Sequence, residues 1–361
     1  MPDWNWGPVL PRSCSAFGCA ARSTGVITIG GTYWISPEKD EPSKRWVRDV
    51  YWLASGASAW ERLPDYPRDV GQVLAVSIND RIYAIGGRDA ENAFRETYWI
   101  SPDDFAAGWQ RGPDLPRPFF ALGGGTHGGT IYAVTDEIAM REPGGPAPPP
   151  PTVLALDTAE TDAAWVELGH APDGEVGYHT VAVADGKLFL FGGAVQRGDE
   201  ALELRDSVWS FDLQSKKWSA RHPLPYPLRD ASAVQLNQKS ILIAGGVEDA
   251  ASFAKTPDDK PRILLSNRCL LYDTEADQFT FAAPLRLAVA DHGLVTLDSA
   301  VLAIAGEDSP YRTRTDLVQV ARVDALLQTA TNNASRFNRL RLSPHDRGPR
   351  SRATTLATTE N

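Results

Sequence analysis

VITIGG (Val26–Gly31), IYAIGG (Ile82–Gly87), LFLFGG (Leu188–Gly193) and ILIAGG (Ile241–Gly246) are four copies of one phrase, an apolar run that stops on a glycine pair. A fifth copy, VLAIAG, ends at Gly306 with alanine in place of the first glycine. The closing glycines lie 56, 106, 53 and 60 residues apart, so the long gap holds two periods and conceals one copy. That copy is TIYAVTD (Thr130–Asp136), where the apolar run survives and the glycines are gone. An apolar unit copied at this interval is one supersecondary element that buries its faces only against its neighbours.

The other strands of each unit are legible around these phrases. Each is preceded by an apolar run such as QVLAVSI (Gln72–Ile78) or HTVAVA (His179–Ala184) and a short polar turn, NDR or DGK, which predicts a tight hairpin. After a loop of variable length comes a third strand: RDVYWL, RETYWI, TVLALD, DSVWSFD, NRCLLYD or DLVQVARV. A fourth, outer strand carries a tryptophan ahead of a proline turn at Trp60–Pro64, Trp109–Pro116, Trp165–Pro172 and Trp218–Pro225, with Phe279 and Phe281 before Pro284 in the fifth unit. Trp6, Trp60, Trp109, Trp165 and Trp218 are read as packing residues between sheets.

The sixth unit stops at its third strand near Val323, while WNWGPVLP (Trp4–Pro11) carries the outer-strand signature at the other end of the chain. The expectation is an all-β, six-bladed kelch-type β-propeller over residues 1–325, closed by the N-terminal strand, which leaves no open sheet edge at a seam. Residues 326–361 read as a polar basic tail without fixed structure, with Arg336, Arg339, Arg341, Arg347, Arg350 and Arg352 among small polar residues. EPGGPAPPPP (Glu142–Pro151) reads as an extended surface loop of the third unit.

Composition narrows the partners. The net charge of −10 argues against a nucleic-acid role for the body of the chain, and no apolar stretch approaches the length of a membrane span. The three cysteines, Cys14, Cys19 and Cys269, have no metal-ligand spacing, and the N-terminal residues lack the pattern of an export signal; a cytoplasmic protein with free thiols is expected.

Two features could carry chemistry. Arg12, Arg68 and Arg117 each lie 18 residues before the first glycine of a pair or its equivalent; Arg229 lies 16 and Arg286 lies 19 before theirs. The fourth unit has Gly174 and Glu175 at that place. Arginines converging on one axial mouth would repel one another unless carboxylates or an anionic ligand neutralise them, which makes them candidate substrate-binding residues. The alternative is that each pairs with a nearby acid such as Asp69 or Asp230 and serves packing. The second feature is AGEDSPYRTRTD (Ala305–Asp316), where Glu307 follows Gly306 directly and Arg312 and Arg314 come after it. A carboxylate beside cations stays ionised and can act as a base, or as an acid if burial raises its pKa.

The collinear glycine pairs, the LPRP-like outer turns and this last loop together resemble the bacterial N-acetylneuraminate epimerases, the kelch-type sialic acid mutarotases, over residues 1 to 325. That resemblance implies Glu307 and Arg314 as the catalytic pair, Glu307 as acid/base and Arg314 as a clamp on the substrate carboxylate, with no metal or organic cofactor, and an acidic sugar or other anionic small molecule as ligand. The rival expectation is a non-catalytic propeller that binds a protein or an anionic glycan, since fold alone does not assign function. A copper oxidase on a galactose-oxidase-like propeller is disfavoured, because no two of the six histidines stand at ligand spacing such as i, i+2. A retaining glycosidase would need two carboxylates about 5 Å apart, which sequence does not place.

Overall fold

The structure, a computed structural model, describes residues 3–35, 43–119, 121–136, 149–160, 162–172, 174, 176–195, 202–248, 264–309 and 313–341. Residues 142–148 of the proline-rich stretch, Glu175, Arg312 and everything beyond 341 lie outside the described residues.

The described residues are all-β apart from one short 3₁₀ turn and one helix, and they form many small antiparallel sheets. Among the described residues six are four-stranded, each with hydrogen-bonded neighbours in the order of the sequence reading. The first comprises Gly18–Arg22, Gly25–Ile29, Val50–Ala54 and Glu61–Arg62. The others begin at Leu74–Ile78, Ala121–His127, Thr180–Ala184, Ser232–Asn237 and Gly293–Leu297. In the sixth sheet the outer strand is Trp4–Trp6, paired antiparallel to Arg314–Arg322 with Trp4 opposite Ala321.

The first strands of consecutive sheets lie against one another, and that of the sixth lies against that of the first. Among the described residues six apolar clusters fill the spaces between neighbouring sheets. One joins Val26, Leu53 and Trp60 of the first unit to Val295, Leu302, Ile304 and Val318 of the sixth. This is the packing expected of sheets apolar on both faces.

The glycine pairs couple one sheet to the next. Gly30 and Gly31 have φ values of 67° and 115°, open to glycine at little cost. A Cβ on Gly30 would stand 2.3 Å from the Val70 carbonyl oxygen, and that same oxygen accepts the Gly31 N–H at 2.8 Å. Gly193 donates likewise to Leu228, Gly246 to Val289, and Gly306 to Cys14, so the sixth unit makes towards the first the contact the others make forwards.

The outer tryptophans tie sheets at the rim. The indole N–H of Trp60 donates to Pro8, that of Trp165 to Pro113, and that of Trp4 to Ala283. It is therefore Trp4, 1% exposed, that fills the place expected of Trp6. Trp6 is 47% exposed, with the Arg286 guanidinium 4.9 Å above its ring. Trp60 and Trp165 are buried; Trp109 and Trp218 are half-buried.

The C-terminal segment also differs from expectation. Residues Val323–Arg341 form a helix whose first half packs on the fifth and sixth sheets, with Leu326 and Ala330 buried. Asn333 donates to the Phe281 carbonyl and Thr329 to Asp3. Apolar side chains at 323, 326 and 330, spaced to share one helix face, outweigh the polar composition that suggested an unstructured tail. No helix of the described residues is long and apolar enough to cross a membrane.

Candidate functional site

The six first strands line one cavity of about 420 Å³, with Cys19, Ala75, Gly124, Ala182, Ala233 and Leu294 among its walls. At one end it meets a second cavity of about 190 Å³ bounded by Gln72, Asp136, Tyr178, Asp230, Asp291 and His292.

This mouth is built by backbone. Ala16, Gln72, Tyr178, Asp230 and Asp291 each precede a first strand and each have φ between 49° and 56°. Their amides run head to tail: Gln72 N–H to Ala16 C=O at 2.6 Å, Ala16 to Asp291 at 2.9 Å, Asp291 to Asp230 at 3.1 Å, Asp230 to Tyr178 at 3.4 Å. The Tyr178 N–H donates to the Asp136 carboxylate. Asp136 stands where other units have their second glycine, so its side chain supplies an acceptor in the unit that lost the pair. Left-handed backbone at non-glycine residues costs energy and persists where the surroundings over-determine it, a pattern that concentrates at functional sites.

Glu307 and Arg314 stand directly opposite each other across the sixth sheet. Arg314 Nη2 lies 2.6 Å from Glu307 Oε1 and its Nη1 donates to the Thr313 carbonyl. The Arg314 side chain is 4% exposed, that of Glu307 25%. Enclosed in this way, Arg314 orients Glu307 and offers little surface to a ligand, which departs from the clamp that the resemblance implies. Backbone bonds to Ala290 hold Glu307 beside Asp291. Burial raises the Glu307 carboxyl above its usual range; Arg314, Lys44 and Arg229 oppose the shift, and Asp291 adds to it. Asp230 is raised in the same way by burial and by Asp291, Glu307 and Asp136, against Arg229. Among the described residues Asp291 is in no side-chain ion pair or hydrogen bond, which leaves a carboxylate available beside Glu307.

The five arginines do not share this mouth. Arg12 binds Asp49 at 2.5 Å, and Asp49 also takes Arg62; Arg68 binds Glu96 at 2.8 Å. Each pair ties the segment leading into a sheet to the residue just before that sheet's third strand, the packing alternative left open by the sequence. The acid is Glu96 for Arg68, since Asp69 is taken by Arg48. Arg117 lies over Phe119 at 4.3 Å and Arg286 over Trp6. Only Arg229 belongs to the mouth, paired with Asp230 and 5.6 Å from the Tyr178 ring. Its register explains why. Arg229 bridges Val247 as Gly71 bridges Arg88, so it occupies the position of Gly71, three residues beyond that of Arg68.

Sequence reasoning named Asp230 only as a packing partner for an arginine and missed Asp136, Tyr178 and Asp291, and also a two-stranded hairpin, Thr32–Ile35 with Ser43–Trp46, that the first unit places beside the mouth. For Tyr178, Asp230 and Asp291 the signal was the residue two places before each first strand, a column hidden by counting back from the glycines; for Asp136 it was the place of the lost second glycine.

Comparison with known proteins agrees with this architecture. Residues 175–225 match the Kelch motif. The chain is 25% identical over 193 residues to kelch-like protein 25 of Xenopus tropicalis, covering 53% of this chain and 31% of that protein. It is 24% identical over 223 residues to N-acetylneuraminate epimerase of Yersinia pestis (strain Pestoides F), covering 55% of this chain and 54% of the epimerase. The chain thus spans about a third and about half of the lengths of these relatives. The solved structure of YjhT superimposes with a TM-score of 0.65 at 17% identity, covering 86% of this chain and 95% of that one. The protein carries a kelch motif, resembles both kelch-like proteins and N-acetylneuraminate epimerases in sequence, and shares its fold with YjhT.

Proposed function

We propose that the six four-stranded sheets form one closed six-bladed propeller, completed by Trp4–Trp6, and that its axial mouth interconverts the anomers of an acidic sugar by general acid–base catalysis. The observation that carries the reading is Glu307. It is a partly exposed carboxylate, raised by burial, held by a buried arginine, and set beside Asp291. The first-to-sixth contacts through Gly306 and Trp4, and the similarity to N-acetylneuraminate epimerases, support the same reading.

Exchange of anomers needs modest chemistry. A base takes the proton of the anomeric hydroxyl while an acid delivers one to the ring oxygen; the ring C–O bond breaks, the open-chain carbonyl rotates, and the steps reverse on its other face. Glu307 takes the first proton and returns it on closure, with no net change in the enzyme. Arg314 fixes the carboxylate's orientation, and positioned acid–base help of this kind contributes about 10²–10⁴-fold.

The test is exchange NMR on an equilibrated acidic ketose. Wild type is expected to speed anomer exchange and Glu307→Gln to lose that effect; equal rates for the two proteins, or no acceleration on any acidic sugar, would remove the enzymatic reading. The second reading, a propeller that binds without catalysis, draws on the likeness to kelch-like protein 25. It predicts saturable binding that Glu307→Gln leaves intact and no acceleration at all.

A further inference from the structure

Anomer exchange needs an acid for the ring oxygen as well as a base, and Glu307 fills only the second role. The hairpin Thr32–Ile35/Ser43–Trp46 stands beside it for a definite reason. Cys14 accepts the Gly306 N–H on one side, and Ser15, next in the chain, pairs with Thr32 on the other. Ala16, one residue further, donates to the Asp291 carbonyl. The hairpin's base is therefore fixed both to the loop that carries Glu307 and to the backbone of the mouth.

Register decides which side chains share a face of this hairpin. Thr32 lies opposite Trp46 and Trp34 opposite Lys44, so these four stand on one side. That side meets the segment leading into the second sheet. A Cβ on Gly71 would stand 2.9 Å from Thr32 Cγ2 and 3.2 Å from the Trp46 indole, one residue before Gln72 of the mouth. Tyr33 lies on the other side, where the Arg12 guanidinium is 5.1 Å from its ring. Lys44 is thus the cation that the hairpin carries on the mouth side, its Nζ 5.4 Å from the Trp46 ring and 5.9 Å from that of Trp34. Among the described residues this ammonium has neither an ion pair nor a hydrogen bond. The charges that reach it are those of Asp291, Arg314, Glu307 and Arg88. Burial lowers its pKa, with Arg314 and Arg88 acting alongside and Asp291 and Glu307 in opposition. A lysine in that state gives up its proton more readily than one in water.

We propose that Lys44 is the general acid that delivers a proton to the ring oxygen while Glu307 removes that of the anomeric hydroxyl. The inference rests on the reading of the mouth as an anomer-exchanging site, and it names the second catalytic group. On opening, the anomeric O–H proton passes to Glu307, its electron pair forms the carbonyl, the ring C–O bond breaks, and the ring oxygen takes a proton from Lys44. On closure the sugar hydroxyl attacks either face of the carbonyl and returns its proton to the Lys44 amine. The carbonyl oxygen takes back the proton of Glu307, and the protein ends as it began. The indole faces of Trp46 and Trp34 hold the ammonium without an acceptor that would retain its proton.

The test is exchange NMR on N-acetylneuraminate across pH, with wild type, Lys44→Arg, Lys44→Ala and Glu307→Gln. Arginine keeps the charge over the indoles but does not release its proton, so Lys44→Arg should lower kcat about 10²-fold or more with KM nearly unchanged. Wild-type kcat should fall at high pH, where Lys44 loses its proton. Lys44→Ala should lack that alkaline limb and regain activity when ethylammonium is added. Wild-type kcat in Lys44→Arg, or an unaltered alkaline limb in Lys44→Ala, overturns the proposal. If Glu307→Gln is inactive in the same series, the reading of the mouth stands without it; no acceleration by wild type removes both. A raised KM alone in Lys44→Ala, restored in Lys44→Arg, would make Lys44 a binding group and overturns its role as acid.

Discussion

Gly30→Ala is the sharpest probe of how the sheets are joined. The new methyl group meets the Val70 carbonyl at 2.3 Å and a Val70 methyl at 2.7 Å, in backbone held at φ 67°. Left-handed backbone costs an alanine about 1–2 kcal/mol. Displacing the carbonyl also loses the Gly31 N–H bond, about 0.5–1.5 kcal/mol. The expected destabilisation is therefore about 1.5–3.5 kcal/mol. Gly56→Ala is the control. Gly56 has φ 76° with nothing within 4 Å of its Cβ, so it carries the backbone term alone, about 1–2 kcal/mol. Both substitutions restrict the unfolded chain equally, so that contribution cancels in the comparison. Urea unfolding followed by tryptophan fluorescence measures both, and equal losses would refute the idea that the glycine pair couples neighbouring sheets.

Three further outcomes follow from named contacts. Trp4→Ala should cost about 3–5 kcal/mol, since it empties a buried indole site and orphans the Ala283 carbonyl; a loss under 1 kcal/mol by chemical denaturation would detach the N-terminal strand from the account. Asp49→Ala should cost about 1–3 kcal/mol by releasing Arg12 and Arg62, and it should leave anomer exchange at the wild-type rate; a loss of activity matching that of Glu307→Gln would return Arg12 to the site. Asp230, raised by burial to about 8, binds a proton in the folded state through a range where the unfolded chain, with an aspartate pKa of about 3.9, has lost it. Its contribution to stability therefore declines as pH rises from about 4 to about 8, with a ceiling of about 1.4 kcal/mol per pH unit. Buried His292, lowered to about 4, works the other way up to about pH 6.5, so the measurement is the difference between wild type and Asp230→Asn, in which His292 cancels. A pH-independent difference would contradict the shift.

The fold was legible because its determinants are local and repeated. An apolar run, a glycine pair and a rim tryptophan each do one job in one unit, and six imperfect copies average out the exceptions at Thr135 and Ala305. Of the candidate site only the pairing of Glu307 with Arg314 was legible, because the two sit within a single strand pair. Arginine spacing misled because offsets counted from the glycines ignore changes in the length of the lead-in segment; the 16-residue offset of Arg229 marked a residue in a different structural column. Asp230 and Asp291 matter because backbone bonds between units bring them together. Lys44 sits on a hairpin whose sequence shows only as a longer loop. Neither kind of proximity has a period.

A crystal structure of the protein grown with excess acidic sugar tests the central claim most directly. The account predicts the anomeric oxygen within about 2.6–3.2 Å of the Glu307 carboxylate. A sugar bound away from the axial mouth, or with its anomeric centre turned from Glu307, would contradict it.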